Sequence, residues 1–416
     1  MLSGKRRPRY LAVAGTVVGA LLVAGCSTGA TPTDDSADDG GLAGMEPIKI
    51  VLSDINPEAS VIGRAWTGFM DEVTTKTEGK ITFDTYWSSA LMPLAETLSG
   101  VQSGVVGVAQ ILPNNYPQEL PISNLVINMG SMPSDSFPLG TIQGAAAAQE
   151  LFSTSEEWQA EMAENNMKAL AVAFPYIQYD LLCTTPVTTE EEAAGKRVRT
   201  PGGVWNGELE ALGMIPVPLP FGEAYDALQR GVIDCVALQP AANMDSGLVD
   251  IAQEFTPVAL SGYLGAFLGI NLDTWNSLPV EAQQIMQDAA VTWWAKYEGG
   301  AITRYADEAI EGVDERGLTF HDPSELDAIV SAAQKKALTA LGKTDTAGLE
   351  STADFIDKYQ GLLDKWEGIL VDELEFEVVP RDASSIQKSW ASGRDFNLNS
   401  YLSRIKEDAF DPYRVK

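Results

Sequence analysis

From residue 48 onward, short β-rich runs alternate with stretches of helical periodicity. That alternation restricts the chain to a fold in which helices cover a sheet. IKIVLS (48–53) is the first such run. Over 64–77, Ala65, Trp66, Phe69, Met70 and Val73 recur at i, i+3, i+4 spacing and predict an amphipathic helix ended by Gly79. ITFDTYW (81–87) alternates as a strand, a helix is expected over 94–103, and VVGVAQI (105–111) is the next strand. The rhythm repeats with strands at 167–174 and 179–184 and a short helix over 189–195 with an acidic first turn. KRVRT (196–200) is a strand, followed by Pro201-Gly202-Gly203 and a helix from Val204. PVPLPF (216–221) leads into a helix over 222–230 and the strand GVIDCVAL (231–238). Helices dominate from 279, including 280–299 and 325–341, whereas 372–416 reads as mixed, acidic and irregular.

The first 45 residues do not belong to that pattern. Lys5, Arg6, Arg7 and Arg9 precede an uncharged apolar run at 10–24, the layout of a signal peptide over 1–25. The run is shorter than the roughly 20 residues a membrane-spanning helix needs, although a short transmembrane anchor is the competing reading. Val23-Ala24-Gly25-Cys26 resembles the lipobox at which bacterial lipoproteins are acylated on cysteine and cleaved before it. Residues 26–45 carry Asp34, Asp35, Asp38 and Asp39 without apolar periodicity and read as a lipidated, disordered tether. The expected location is extracytoplasmic, with the lipid holding the protein to the membrane.

The chain has a formal net charge of −30, and removal of the four basic leader residues takes it to −34. Such a surface argues against nucleic acid and against docking on anionic lipid. No later stretch approaches 18 consecutive apolar residues, so the rest reads as soluble and long enough for two lobes with separate cores. After lipidation of Cys26, Cys183 and Cys235 remain in an oxidising compartment, as one disulfide or as two buried thiols.

Catalytic signatures are missing. His321 is the one histidine, which excludes a histidine-based triad or a multi-histidine metal site. GKT at 342–344 mimics the end of a phosphate loop. Ala337, however, stands where that motif needs glycine, and the triplet closes a helix instead of opening one. No cofactor or metal site is expected, and an enzyme on a two-lobe scaffold would need a nucleophile–base pair that the sequence does not offer.

Five motifs occur in one order. They are KTEGKITF (76–83), LAETLSGVQSGVV (94–106), GKRVRTP (195–201), LGMIPVPLPFGEAYDALQRGVID (212–234) and GINLDTWNSLP (269–279). In order and spacing, the region 46–345 resembles the solute receptors of TRAP (tripartite ATP-independent periplasmic) transporters, the dicarboxylate-receptor family. The resemblance implies an α/β fold of the two-lobe periplasmic-binding-protein (flytrap) type, with crossing strands and a long spine helix. It places lobe I at 46–175 and 263–303 and lobe II at 176–262 and 304–345, with 346–416 as a helical and irregular C-terminal extension. It also implies a small organic acid or zwitterion as ligand and two integral membrane transporter subunits as partners, with an ion gradient driving uptake. A receptor for another transporter class or for a membrane sensor is the alternative on the same fold.

Within the resemblance, Arg199 occupies the position of the arginine that grips the ligand carboxylate, a role suited to a planar guanidinium fork. Arg197 lies on the same strand face, so periodicity alone leaves open whether that face meets ligand or solvent. Tyr179, flanked by Gln178 and Asp180, stands where a second basic residue often lies, which favours one ligand carboxylate over two. Gln239 and Asn243 follow the strand at the end of the fourth motif and are expected near the site. Trp205, Phe221, Trp87 and Tyr116, with Tyr86 and Tyr176, are candidates for an aromatic wall, and Glu96 for a contact to a ligand amine or hydroxyl.

Overall fold

The computed structural model describes residues 41–172, 178–263 and 266–416. The leader, the lipobox at Cys26 and Tyr176 lie outside the described residues. The last part of the expected tether is not free. Gly41–Gly44 forms a helical turn, Leu42 N donates to Glu281 at 3.0 Å, and Lys80 Nζ donates to the Ala43 and Met45 carbonyls.

The strands in chain order are β1 (Ile48–Ser53), β2 (Ile81–Tyr86), β3 (Val108–Ile111), β4 (Met167–Val172), β5 (Gln178–Cys183) and β6 (Arg197–Thr200). They continue with β7 (Ile215–Pro218), β8 (Cys235–Leu238), β9 (Glu254–Gly262), β10 (Phe267–Asn271) and β11 (Thr319–Phe320). They form two mixed sheets, ordered β2-β1-β3-β10-β4 and β11-β9-β5-β8-β6-β7. In the first, β1 runs parallel to β2 and β3, and β10 inserts antiparallel between β3 and β4. In the second, β5 lies antiparallel to both β8 and β9, and β6 runs parallel to β7 and β8.

The chain therefore passes between the sheets three times, from β4 to β5, from β9 to β10, and through a long helix from β10 to β11. This is the two-lobe α/β fold with crossing strands. At the second crossing Gly262 N donates to Gly130 O at 2.7 Å. A Cβ on Gly130 would sit 2.0 Å from the Gly262 carbonyl, so no larger residue fits there.

Local signals explain several boundaries. The helix expected over 64–77 starts at Val61, because Ser60 caps it and accepts from Gly63 N at 3.1 Å. The strand expected over 105–111 begins only at Val108; Val105 is 56% exposed and has no sheet partner. The short helix expected over 189–195 is limited to Glu190–Ala193, capped by Thr189, before Gly195 turns the chain with φ +77°.

The spine helix Val280–Asp307 spans 28 residues and continues through a π-turn, Glu308–Gly312, to Arg316. It buries residues around much of its circumference, Trp293 and Trp294 included, and shows no clean polar face. It packs against Val61–Lys76 and β4 of lobe I and against Pro240–Asp245 of lobe II.

The C-terminal region 346–416 holds helix Thr352–Glu367 and, within the segment 372–416 that reads as mixed and irregular, helices Ala383–Ala391 and Asn399–Ile405. Buried Ile386, Trp390, Ile405 and Phe410 anchor it, and such tertiary contacts stabilise helices too short and polar to read from periodicity. It covers helix Leu139–Ser153, every residue of which is buried.

Candidate functional site

The site is built outward from β6, an interior strand whose Arg199 lies opposite Val217 on β7 and Val236 on β8. Arg199 is 4% exposed. Its Nε donates to Leu219 O at 3.0 Å and its Nη1 to Ala237 O at 3.5 Å. Among the described residues no carboxylate pairs with it. Burial pulls the guanidinium's pKa below its ordinary value, and the neighbouring Tyr179 opposes that shift. A buried cation satisfied only by carbonyl dipoles is costly, and an incoming anion would relieve that cost.

Arg197, two residues earlier, is spoken for. Its Nε and Nη2 reach the Asp234 carboxylate at 3.0 and 2.8 Å, and its backbone N donates to the same group at 2.9 Å. These bonds hold the Asp234 carboxyl below its usual range. Beyond Thr200 the chain turns through Gly202 and Gly203 at φ +93° and +61°, a left-handed path that favours glycine.

Against Arg199 stands a stack of aromatic rings. Tyr179 and Trp205 lie 4.8 Å apart at an interplanar angle of 23°, and Trp205 and Tyr263 lie 5.9 Å apart at 20°. Trp205 Nε1 donates to Ser261 O at 2.6 Å, and Tyr263 Oη bonds Asn114 of lobe I. Burial pushes the phenols of Tyr179, Tyr263 and Tyr297 up, so each stays neutral. Tyr297, on the spine, lies within electrostatic reach of Tyr179.

A cavity of about 360 Å³, lined on one side by Tyr297, opens between segments of the two lobes. Asn56, Pro57 and Ala59 to Ile62 line it from lobe I, Phe221, Gln239, Ala242, Asp245 and Ser246 from lobe II, and Tyr297 from the spine. Arg199 is not among the residues that line it. Its two carbonyl partners, Leu219 and Ala237, are each two residues from a lining side chain, Phe221 or Gln239. The Gln239 Oε1 is buried without a protein partner. Asn56 is oriented by buried Asp54, which accepts from Asn56 N at 2.7 Å and from Trp66 Nε1 at 2.8 Å.

Other residues singled out from sequence fall elsewhere. Tyr116 is 6% exposed, and its phenol is engaged by Leu94 O and Leu98 N, so it shapes a lobe I turn. Glu96 is exposed on the short helix there, and Trp87 is half-buried against the core; neither lines the cavity. Tyr86 bonds Asp84. Gln178 lines a separate groove with Arg381. Asn243 is fully buried and donates to Glu308 at 3.3 Å, beneath the cleft wall. Tyr263, Tyr297, Asn56 and Asp54 escaped sequence reading. Tyr297 follows Trp293 and Trp294 in a helix that reads as core, and nothing in its spacing marks a cleft.

Cys183 and Cys235 form a disulfide between neighbouring positions of β5 and β8, one strand from Arg199. Among the described residues no three His, Cys, Asp or Glu side chains are placed to hold a metal. No described helix is long and apolar enough to cross a membrane. The chemistry on offer is anion binding by a desolvated guanidinium, neutral phenols and amides.

Known proteins share this architecture. The C4-dicarboxylate-binding periplasmic protein DctP of Rhodobacter capsulatus is 26% identical over 298 residues, covering 71% of this chain and 85% of that protein. The ectoine-binding periplasmic protein TeaA of Halomonas elongata is 30% identical over 158 residues, 38% of this chain and 43% of that protein. An extracytoplasmic solute receptor of Bordetella pertussis that binds pyroglutamic acid superposes with a TM-score of 0.62 at 21% identity, covering 75% of this chain and 99% of that one. A model of the family described as bacterial extracellular solute-binding protein, family 7, matches residues 52–341, and on that match the chain belongs to this family of TRAP-type solute receptors.

Proposed function

We propose that this protein captures a small solute bearing a single carboxylate in the interlobe cleft and delivers it to two membrane subunits of a TRAP transporter. The carrying observation is Arg199, a 4%-exposed guanidinium with two backbone carbonyls and, among the described residues, no carboxylate as partners. The ligand carboxylate supplies the missing counter-charge when the lobes part to admit it and then close. Solute shifts the lobe equilibrium toward the closed form, which the membrane subunits recognise. An ion gradient drives the transport step.

Tyr179 faces Arg199 in place of a second cation, and aromatic rings back the site. This favours a monocarboxylate or zwitterion over a dicarboxylate, whose second charge would be buried without a partner. The relatives' named ligands, a C4 dicarboxylate, ectoine and pyroglutamic acid, span both kinds. Titration calorimetry of the mature protein separates them. Monocarboxylates and zwitterions are expected to bind more tightly than succinate, malate or fumarate; tightest binding by any of those three would refute the single-carboxylate site.

Delivery needs the receptor near the membrane, and the lipid on Cys26 provides this. Cys26→Ser is expected to release the protein from membranes or to leave its leader attached. Fractionation with mass determination checks this, and a Cys26→Ser protein that is processed normally yet membrane-bound would contradict the anchor.

A further inference from the structure

Residues 346–416 lie beyond the family match at 52–341, yet part of this segment enters the junction where the two lobes meet. Arg381 is the central contact. Its Nη2 donates to Pro257 O at 2.5 Å on β9, and its Nε to Asp327 at 3.2 Å on helix Ser324–Leu341. Its Nη1 donates to Asp135 O at 3.3 Å, just before the lobe I helix Leu139–Ser153. One guanidinium thus bonds a crossing strand, a lobe II helix and a lobe I segment.

Trp390 repeats the pattern with apolar contacts. It is 4% exposed and packs edge-on to Tyr305 of the spine at 4.4 Å. Its ring also meets Phe137 of lobe I at 6.3 Å, and Phe255 of β9 and Phe320 of β11 at 5.6 Å each. On either side, Val379 N donates to Ser136 Oγ at 2.7 Å and Ser389 Oγ to Phe137 O at 2.6 Å. Arg394 pairs with Asp307 and Glu311, where the spine enters its π-turn. The groove beside Arg381 shares no lining residue with the solute cavity.

We infer that the arm over 379–394 is an inter-lobe brace, in which Arg381 and Trp390 are positioning residues that set the resting angle of the cleft without touching solute. The physical reason is geometric. A hydrogen bond weakens steeply once its distance or angle departs from the optimum, and Arg381 is bonded to both sides of the junction at once. Lobe rotation that moves Asp135 and Phe137 relative to Pro257 and Phe255 must break one set of contacts. The intact brace therefore biases the opening equilibrium. This inference depends on the two-lobe fold and not on which solute is bound.

The test reads lobe separation directly. Val105 and Val232 are 56% and 52% exposed and precede β3 of the first sheet and β8 of the second. Spin labels at Val105→Cys and Val232→Cys would report the inter-lobe distance by double electron–electron resonance. The full chain would carry Cys26→Ser, so that the introduced cysteines are the free thiols, and no solute would be added.

Arg381→Gln and Trp390→Leu are each expected to shift the distance distribution and widen it about twofold. Arg414→Gln, which loses only the pair to Asp288 on the spine, is expected to leave it unchanged. Asp135→Asn weakens the ion pair between the half-exposed Asp135 carboxylate and Arg381 Nε at 3.7 Å while keeping the Asp135 carbonyl contact; it is expected to act in the same direction as Arg381→Gln but less, and it covers the case in which Arg381→Gln does not fold. Folded variants at Arg381, Trp390 and Asp135 that melt lower but keep the wild-type distribution would reduce the arm to a structural patch and overturn the brace.

Discussion

Arg199→Ala is expected to weaken solute binding by about two to three orders of magnitude. Removing one partner of a buried charge pair costs about 3–5 kcal/mol, and each factor of ten in affinity is about 1.4 kcal/mol. Arg199→Lys is expected to lose most of the affinity too, because an ammonium cannot span both oxygens of a carboxylate while also reaching Leu219 O and Ala237 O. Arg197→Ala is expected to change affinity little, since the Arg197 guanidinium is already committed to a two-pronged pair with Asp234.

A separate measurement isolates the anchor from folding. Arg199 is desolvated without a counter-ion in the unliganded protein, so Arg199→Met, which keeps much of the aliphatic stem, is expected to melt at or above the wild-type temperature while binding collapses. Stability and binding then move apart, which a merely structural arginine would not produce. An Arg199→Ala protein that binds within threefold of wild type would end the carboxylate-anchor reading.

The second large effect is on stability. The Cys183–Cys235 disulfide joins β5 to β8 across a sequence separation of 52. Closing a loop of that length removes about 4 kcal/mol of chain entropy from the unfolded state, in the loop-entropy picture. The double variant Cys183→Ala/Cys235→Ala is expected to lose at least that much, because both side chains are buried and their removal leaves small voids. Denaturant unfolding of oxidised wild type, reduced wild type and the double variant measures it. Equal midpoints for the oxidised and reduced wild type would show that the bridge contributes nothing. Solute affinity is expected to fall less than stability, since β8 and β5 carry Gln239 and Tyr179 into the site but Arg199 stands on β6.

Much of the lobe architecture was legible because its signals are local. Alternation of β-rich runs with amphipathic stretches marks β1, β2 and helix Val61–Lys76, and Gly202-Gly203 marks the turn after β6, since only glycine adopts those φ values cheaply. Arg199 could be singled out through motif order, although its spacing relative to Arg197 left two environments open on one strand face. The structure separates them through Asp234, which is 37 residues from Arg197 in sequence and bonded to it in space. Tyr116 and Asn243 looked like cleft residues and are internal struts, because a polar atom on a buried side chain takes whichever backbone or carboxylate partner the packing brings near.

The sequence alone determined the periodic elements and the acidic balance of the chain, which are properties of local pattern and composition. Only the tertiary structure decided which of the two arginines on one face of β6 is buried, that Tyr263 and Tyr297 join Tyr179 and Trp205 around the anchor, and how the segment 372–416 packs. Those outcomes rest on contacts between segments tens to hundreds of residues apart, such as Trp390 with Phe137, 253 residues away in the numbering. A helix like Ala383–Ala391 has too few turns to be stable by its own propensity, and burial of Ile386 and Trp390 against both lobes is what holds it.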